Sequence, residues 1–119
     1  MKSLNKQTGS IGEAIAVKFL VEKGYKVLQT NFSCKTGEID IIAMDKDVLV
    51  FVEVKMRSNL YFGLPQEAIT HRKLLHMQRT AIAYLKLNDL IDKVDVRFDC
   101  VAIVGSKQDH TIEHIEGIC

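Results

Sequence analysis

The run Val48-Leu49-Val50-Phe51-Val52, followed at once by Glu53-Val54-Lys55, constrains this chain more than any other segment. Five consecutive apolar residues rich in valine predict a strand covered on both faces, because β-branched side chains pack well on a pleat and no face is left for water. A carboxylate and an ammonium at the end of such a strand each cost on the order of several kcal/mol to bury unless they are paired or bound to a metal. Asp40 lies upstream in a second strand-like run, Glu38-Ile39-Asp40-Ile41-Ile42-Ala43, which gives the pattern Asp-x12-Glu-x-Lys. Glu53 and Lys55 are two apart and share a face of their strand. If Met44 pairs with Leu49, Asp40 falls opposite Glu53, with Cβ atoms about 4.5–5.5 Å apart. A tighter turn would pair Asp40 with Phe51 or Val52 instead.

Two carboxylates at that range repel unless a cation lies between them. The spacing therefore points to a divalent-cation site that works on phosphate. Asp40 and Glu53 would hold Mg²⁺, or Mn²⁺ in its place, as oxygen ligands of a hard ion. Lys55 would steady an attacking water or the charge that develops on phosphorus. The competing reading is an edge strand whose charged residues only meet solvent. Glu13 has two readings as well. Ser10-x-x-Glu13 matches a capping box at a helix start, and the same helix could lay Glu13 beside the metal.

The remaining elements follow from periodicity and punctuation. A first helix is expected from about Ser10 to Lys23, with Ala14, Val17, Leu20 and Val21 inward and Gly24 as its stop. Tyr25 to Phe32 reads as a strand, Gly37 as the turn into the Asp40 strand, and Asp45-Lys46-Asp47 as the turn into the central strand, Val48 to Met56. Residues 58–65 form a loop. A helix from about Thr70 to Leu87 carries Leu74, Met77, Ala81 and Leu85 on its core stripe, with Arg72, His76, Arg79 and Lys86 opposite. Strands at Asp95 to Val104 and Thr111 to Ile115 complete the order α-β-β-β-α-β-β, a mixed sheet flanked by helices. At 119 residues this is expected to be one domain spanning 1–119, large enough for a core without disulfides.

Charge is distributed unevenly. Residues 54–88 hold Lys55, Arg57, Arg72, Lys73, Arg79 and Lys86 against Glu67 alone, within a chain of net charge +1. A polyanion bound on one face suits that zone, as does a solvated helix face. Cys34, Cys100 and Cys119 lack metal-ligand spacing and read as free thiols of a reducing cytoplasm. No apolar run is long enough to span a membrane. His71 and His76 are too awkwardly spaced to share a metal and are expected at the surface. Arg97 and Asp99 read best as an internal ion pair. Tyr61-Phe62 could stack on unpaired bases, but two aromatics before Gly63 more often anchor their loop.

Gly12-Glu13-x-x-Ala16, Gly37-Glu38-Ile39-Asp40, Phe51-Val52-Glu53-Val54-Lys55-x-Arg57 and Arg97-Phe98-Asp99 stand together in an order that resembles the YraN-type family of uncharacterised bacterial proteins. That family belongs to the PD-(D/E)xK nuclease superfamily and is similar to archaeal Holliday-junction resolvases. The resemblance covers roughly residues 9–104, with Ile39 where the superfamily name would put proline. It implies a restriction-endonuclease-like fold with Asp40, Glu53 and Lys55 as the catalytic set and Glu13 joining them. It also implies phosphate contacts for Gln66 and Lys73, which follow the central strand. The leading expectation is a Mg²⁺-dependent nuclease acting on DNA, with branched or structured DNA as the substrate class and a homodimer as the assembly suited to cutting two strands. The alternatives are a non-catalytic nucleic-acid-binding module and a protein-interaction scaffold.

Overall fold

The computed structural model describes the backbone of residues 2–119 and the side chains from residue 9 onward. Helix α1 (Lys2–Glu22) leads into strands β1 (Lys26–Cys34), β2 (Gly37–Asp45) and β3 (Val48–Arg57). A 3-10 turn (Pro65–Ala68) and helix α2 (His71–Leu87) cross over to β4 (Asp95–Gly105), and β5 (His110–Ile115) follows. The five strands lie in sequence order in one sheet. β3 and β4 are parallel and the other neighbours antiparallel. The sheet is thus mixed, with a helix packed on each face, which is the restriction-endonuclease-like α/β arrangement expected.

β3 is central because it is apolar on both sides. Leu49, Val50, Phe51 and Val52 are at most 1% exposed. Alternation sends Val50 and Val52 into the cluster under α1, with Ile41, Ala43, Val101 and Ile103. It sends Leu49 and Phe51 into the cluster under α2, with Ile42, Ala81, Tyr84 and Leu85. Phe51 stacks on Phe98 at 5.5 Å between centroids and meets Tyr84 edge-on at 5.8 Å.

Helix α1 departs from the sequence reading at two points. It begins at Lys2, so Ser10 lies in its interior and is not an N-cap. The upstream residues contain no proline, and nothing in them stops the helical ladder. The capping-box reading of Glu13 is therefore wrong. The inner face is only partly the one expected: Leu20 is buried and Val17 packs on the core, but Gly12 and Ala16 are buried with them, while Ala14 and Val21 are exposed. The reason is proximity. A Cβ on Gly12 would sit 3.3 Å from Met56 Cβ and 3.5 Å from Val54 Cγ1, so the helix rests its smallest residues on the end of β3. Its C-terminus ends as the glycine predicts. Gly24 has φ +101°, Gly24 N–H donates to Val21 O and Tyr25 N–H to Leu20 O, at 3.0 and 2.9 Å.

Helix α2 is capped by the Thr70 side chain, which accepts from Lys73 N–H at 3.1 Å. It buries Met77, Ala81 and Leu85 as expected, together with Thr80 and Tyr84. Leu74 is only half-buried, and Arg72, His76, Arg79 and Lys86 are exposed.

A second charged cluster lies on the α1 side of the sheet, at the Asp45 end of β2. Asp99 is fully buried. The Arg97 guanidinium grips it with two bonds, Nε to Oδ1 at 2.9 Å and Nη2 to Oδ2 at 3.0 Å. Arg97 also meets Asp45 at 3.1 Å, Glu116 at 3.0 Å and the Tyr25 hydroxyl at 2.7 Å. His114 Nε2 lies 2.8 Å from Asp99 Oδ2, and Lys23 Nζ lies 2.7 Å from His114 Nδ1. With the ammonium as donor to Nδ1, the imidazole carries its proton on Nε2 and donates it to Asp99. Gly117 N–H adds a bond to Asp99 Oδ1 at 3.1 Å. Burial alone would raise the Asp99 pKa, but the His114, Arg97 and Gly117 bonds outweigh it and hold the carboxyl below its usual value. Burial pushes the Tyr25 hydroxyl up to about 12, against the pull of Arg97. The internal ion pair read from the sequence is thus what the structure contains, and it ties β4 to β2, β5 and the C-terminal residues.

Removing the carboxylate would strand a half-buried guanidinium. Asp99→Ala should therefore lower the unfolding free energy in urea by about 3–5 kcal/mol. Because the folded pKa is depressed, Asp99 contributes stability above its unfolded pKa, and that contribution is lost as pH falls through the folded value. Wild type should lose stability on acidification that Asp99→Asn, already lacking the charge, does not.

Candidate functional site

The site is built where β2 parts from β3. The register is the one that sets Asp40 across from Glu53: Met44 pairs with Leu49 and Ile41 with Val52, and the pairing ends there. At the next position the Asp40 side chain takes over from the backbone, Oδ2 accepting from Val54 N–H at 2.8 Å. β2 also changes face here. Ile41 and Ala43 pack under α1, yet Ile39 packs under α2 with Ile42, where strict alternation would have kept it with Ile41. The neighbouring strand bends at the same level: Asn31, between the paired residues Thr30 and Phe32, has φ +54°. Asp40 thereby lines cavities on both sides of the sheet.

On the α2 side is an open cavity of about 530 Å³, lined by Thr36, Gly37, Glu38, Asp40, Glu53, Lys55, Lys73 and His76 among others. Glu53 is 5% exposed. Lys55 Nζ lies 3.3 Å and Lys73 Nζ 2.9 Å from its Oε1, so two ammoniums share one carboxylate oxygen. Glu53 and Lys55 come from alternate positions of β3, as the spacing predicts, and Lys73 comes from the first turn of α2. The smaller cavity, about 300 Å³, is lined by Gly9, Gly12, Glu13, Asp40, Val54, Lys55 and Met56. Glu13 stands there beside Asp40, its Oε2 accepting from Asn31 Nδ2 at 3.1 Å. The reading that brought Glu13 to the rim of the acidic pair gives its position; the helix-capping reading does not.

Electrostatics mark Asp40 as the strained member. Burial first, and then the Glu53 carboxylate, raise its pKa to about 7, against the lowering effect of the Val54 N–H bond; Glu13 raises it further and Lys55 lowers it. Lys55 is pulled below its usual value by burial and by Lys73 beside it, and Glu53 only partly compensates. Burial would lower Lys73 too, but its contacts with Lys55 and Glu53 raise it on balance. Cys100, paired in register with Glu53, is fully buried, and burial pushes its thiol up to about 12.

Asp40 and Glu53 offer carboxylate oxygens to the cavity, donors that suit a hard cation. Among the described residues no three His, Cys, Asp or Glu side chains form a ready-made metal cage. The raised pKa of Asp40 is the observation that fits a cation here. Two acidic groups are held together with too little positive charge near Asp40, while the lysines concentrate on Glu53.

The other residues singled out from sequence are spread more widely. Arg57 ends β3 on the face of Glu53 and Lys55 and is half-buried. Gln66 donates from Nε2 to Glu113 Oε2 at 3.3 Å, linking the 3-10 turn to β5, and its Oε1 is buried without a protein partner among the described residues. Arg72, Arg79 and Lys86 recur every seven residues along the outward side of α2. Arg72 is at the site end and Lys86 about 21 Å along the axis. Tyr61 and Phe62 are 87% and 85% exposed, so they do not anchor their loop. The three cysteines are free thiols. Among the described residues no helix is long and apolar enough to cross a membrane.

Sequence reasoning missed Thr36 and Thr80. Thr36 Oγ1 lies 3.0 Å from Thr80 Oγ1, and His76 Nδ1 lies 3.2 Å from Thr36 O, so the β1–β2 turn is fastened to α2 along the cavity wall. Isolated threonines carry no signal for such a contact. Lys73 was visible only as a phosphate contact and is also the partner of Glu53. A signal existed in the first turn of α2, which holds His71, Arg72 and Lys73 and no acid. The helix dipole disfavours cations there, so a compensating anion was to be expected.

A mixed five-stranded sheet between two helices, with an acid–acid–lysine cluster where two central strands part, defines the restriction-endonuclease-like class of α/β proteins. Within it, residues 12–103 match the uncharacterised protein family UPF0102, and the chain belongs to that family, the YraN-type group suggested by its motifs. It is 48% identical over 98 residues to a UPF0102 protein of Caldicellulosiruptor bescii, covering 82% of each chain. A UPF0102 protein of Caldanaerobacter subterraneus subsp. tengcongensis is 42% identical over 99% of this chain and 97% of its own. One from Geotalea daltonii is 46% identical, over 98% and 90% respectively.

Asp40 offers a direct check on this electrostatic picture. Its folded pKa is raised, so its contribution to stability is full below the unfolded pKa and is lost as pH rises through about 7. In metal-free protein, Asp40→Asn should stabilise by on the order of 1–3 kcal/mol at pH 8 and by clearly less at pH 5, measured by urea unfolding in chelator. Equal effects at the two pH values would mean that the carboxylates do not repel.

Proposed function

We propose that this protein is a metal-dependent nuclease that hydrolyses DNA phosphodiester bonds, with branched or otherwise structured DNA as its substrate class. The observation that carries the reading is the pairing of a nearly buried Glu53, gripped by Lys55 and Lys73, with an Asp40 whose pKa is pushed up to about 7 in the same cavity. Asp40 and Glu53 would hold Mg²⁺, or Mn²⁺ in its place, which would neutralise charge on the phosphate and make a bound water acidic enough to attack. Asp40 is fixed for this by its bond to Val54 N–H, which leaves its second oxygen for the cation. Lys55, on the same face as Glu53, is placed to orient the water and to meet the charge that grows on the phosphoryl oxygens. A lysine already below its usual pKa can also exchange a proton more readily. Glu13 faces Asp40 from the other side of the sheet and would accept hydrogen bonds from waters around the ion.

Binding would draw on the basic zone. Lys73 is shared with Glu53 and would turn toward phosphate when a cation takes over that carboxylate. Arg57 and Arg72 flank the cavity, and Arg79 and Lys86 extend the positive side of α2 away from it. Gln66 would reach phosphate only through its Nε2 donor, by exchanging its bond to Glu113 for one to DNA. Two copies related by a twofold axis would present two such sites to two strands, which suits a cytoplasmic enzyme acting on junctions. A second reading, a binding module without catalysis, is favoured by one fact: the two lysines already neutralise Glu53 without any metal.

Cleavage and binding assays on single-stranded, duplex, flapped and four-way-junction DNA separate the two. Lys55→Ala should reduce metal-dependent cleavage by about 10²-fold or more while changing affinity little, because its contribution is made in the transition state. Asp40→Asn should abolish turnover with the fold intact. Wild-type binding without cleavage of any substrate in Mg²⁺ or Mn²⁺ would favour the module, and neither binding nor cleavage would favour a protein-interaction scaffold. Independently, glutamate at Arg72, Arg79 and Lys86 together should weaken binding and flatten its dependence on salt, with Arg72→Glu alone giving the largest single effect. An unchanged salt slope in the triple variant would leave the stripe as a solvated face.

A further inference from the structure

The loop between β3 and the 3-10 turn carries Leu60, Tyr61, Phe62 and Leu64, which are 54%, 87%, 85% and 41% exposed. Large apolar groups left in water need a reason, since each aromatic could bury 150–250 Å² (roughly) in a core or interface. The loop is held in this posture by its own polar bonds. Tyr61 N–H donates to Asn59 Oδ1 at 2.9 Å, Gly63 N–H to Leu60 O at 3.1 Å, and Leu64 N–H to Glu67 Oε1 at 3.3 Å. Gly63 takes φ +100°, with Glu67 Oε2 2.8 Å from where a Cβ would stand, so only glycine completes the turn without strain. Pro65 is buried and fixes the far end. The two rings stand side by side, 5.9 Å between centroids and tilted by 54°. The turn aims them outward.

We propose that Tyr61 and Phe62 form a stacking platform for unpaired bases, which would direct the enzyme to DNA with single-stranded nucleotides beside the bond to be cut. This inference rests on the nuclease reading of the Asp40–Glu53 site. The loop joins the two elements that supply Lys55 and Lys73. Tyr61 is six residues beyond Lys55, so the platform lies within about 20 Å of the site. The residues flanking it, Arg57 on one side and His71, Arg72 and Lys73 on the other, are basic, and Glu67, the one acid between, is folded back onto the loop's own amide. A ligand with apolar flat faces joined by negative charges fits both features, and single-stranded nucleic acid has that chemistry. Self-association is the weaker fit. Two aromatics bury on the order of 300–500 Å², against about 800 Å² per partner in a stable interface, and the basic residues around them would repel their copies.

The test measures binding of fluorescent oligonucleotides by anisotropy in chelator, where nothing is cut. Tyr61→Ala/Phe62→Ala should lose roughly tenfold or more affinity for single-stranded and flapped DNA, and less than about twofold for blunt duplex. The chain has no tryptophan, so Tyr61→Trp provides a sole reporter whose emission should be quenched by oligothymidylate but not by blunt duplex. Equal loss on all ligands, or no loss and no quenching, overturns the proposal. Loss of a wild-type dimer in the double variant, seen by sedimentation with DNA affinity unchanged, also overturns it, in favour of a second copy of the chain. The nuclease reading is scored separately by cleavage. Selective loss of flap binding by a protein that never cuts keeps the platform and removes the nuclease; cutting that is indifferent to both substitutions does the reverse.

Discussion

A carboxylate buried at the end of an apolar strand has to be neutralised where it stands, and this requirement organises one end of the molecule. Glu53 cannot move to solvent without withdrawing Leu49–Val52 from both clusters of the core, because β3 is the strand that both helices cover. Its partners must come to it. Lys55 follows on the same face, and the first turn of α2 delivers Lys73, at a helix end where a cation is otherwise unfavourable. The position of α2 over the sheet, its Thr70 cap and the fastening of Thr36 to Thr80 are consistent with that one demand.

The two charged clusters differ in a way that assigns them different work. Around Asp99 every bond is closed: arginine, histidine and a backbone amide satisfy both oxygens, and the carboxyl is more acidic than usual. Such completeness belongs to a structural brace. Around Asp40 the balance is left open, with too little positive charge and a carboxyl near neutrality. A carboxyl raised by burial and by a neighbouring carboxylate in a solvent-reachable cavity is the kind of perturbation that functional sites share, whereas the Asp99 shift is that of a closed internal network.

Much of this was legible in the sequence because it rests on short-range rules. Strand period placed Glu53 with Lys55 and hydrophobic runs found β3, whereas the Asp45-Lys46-Asp47 turn allowed more than one register, and the structure has the one in which Met44 pairs with Leu49 and Asp40 falls opposite Glu53. The Arg97–Asp99 pair followed from alternation. What failed were readings that long-range contacts override. The capping box of Ser10 and Glu13 was locally valid, but helix α1 runs on upstream of it. The inner face of that helix was read correctly at Val17 and Leu20 but not at Ala14 and Val21, because Gly12, poor in apolar signal, is what allows close approach to Val54 and Met56. The exposure of Tyr61 and Phe62 ran against the usual fate of aromatics, and no neighbouring residue announces it.

The change of face at Asp40, matched by the left-handed Asn31, has a mechanical consequence for the β1–β2 hairpin. In an ordinary strand, a twist applied at one end is transmitted to the other through unbroken alternation. Here the two halves of each strand belong to different layers, the inner half to the shared core and the tip, from Phe32 to Ile39, to α2 alone. The tip is fastened to the helix that carries Lys73 and Arg72, through Thr36 to Thr80 and His76, and packs on its core cluster. Strain introduced by a bulky guest in the cavity would be taken up at the Asn31–Asp40 crease, leaving the central strand and its buried glutamate undisturbed.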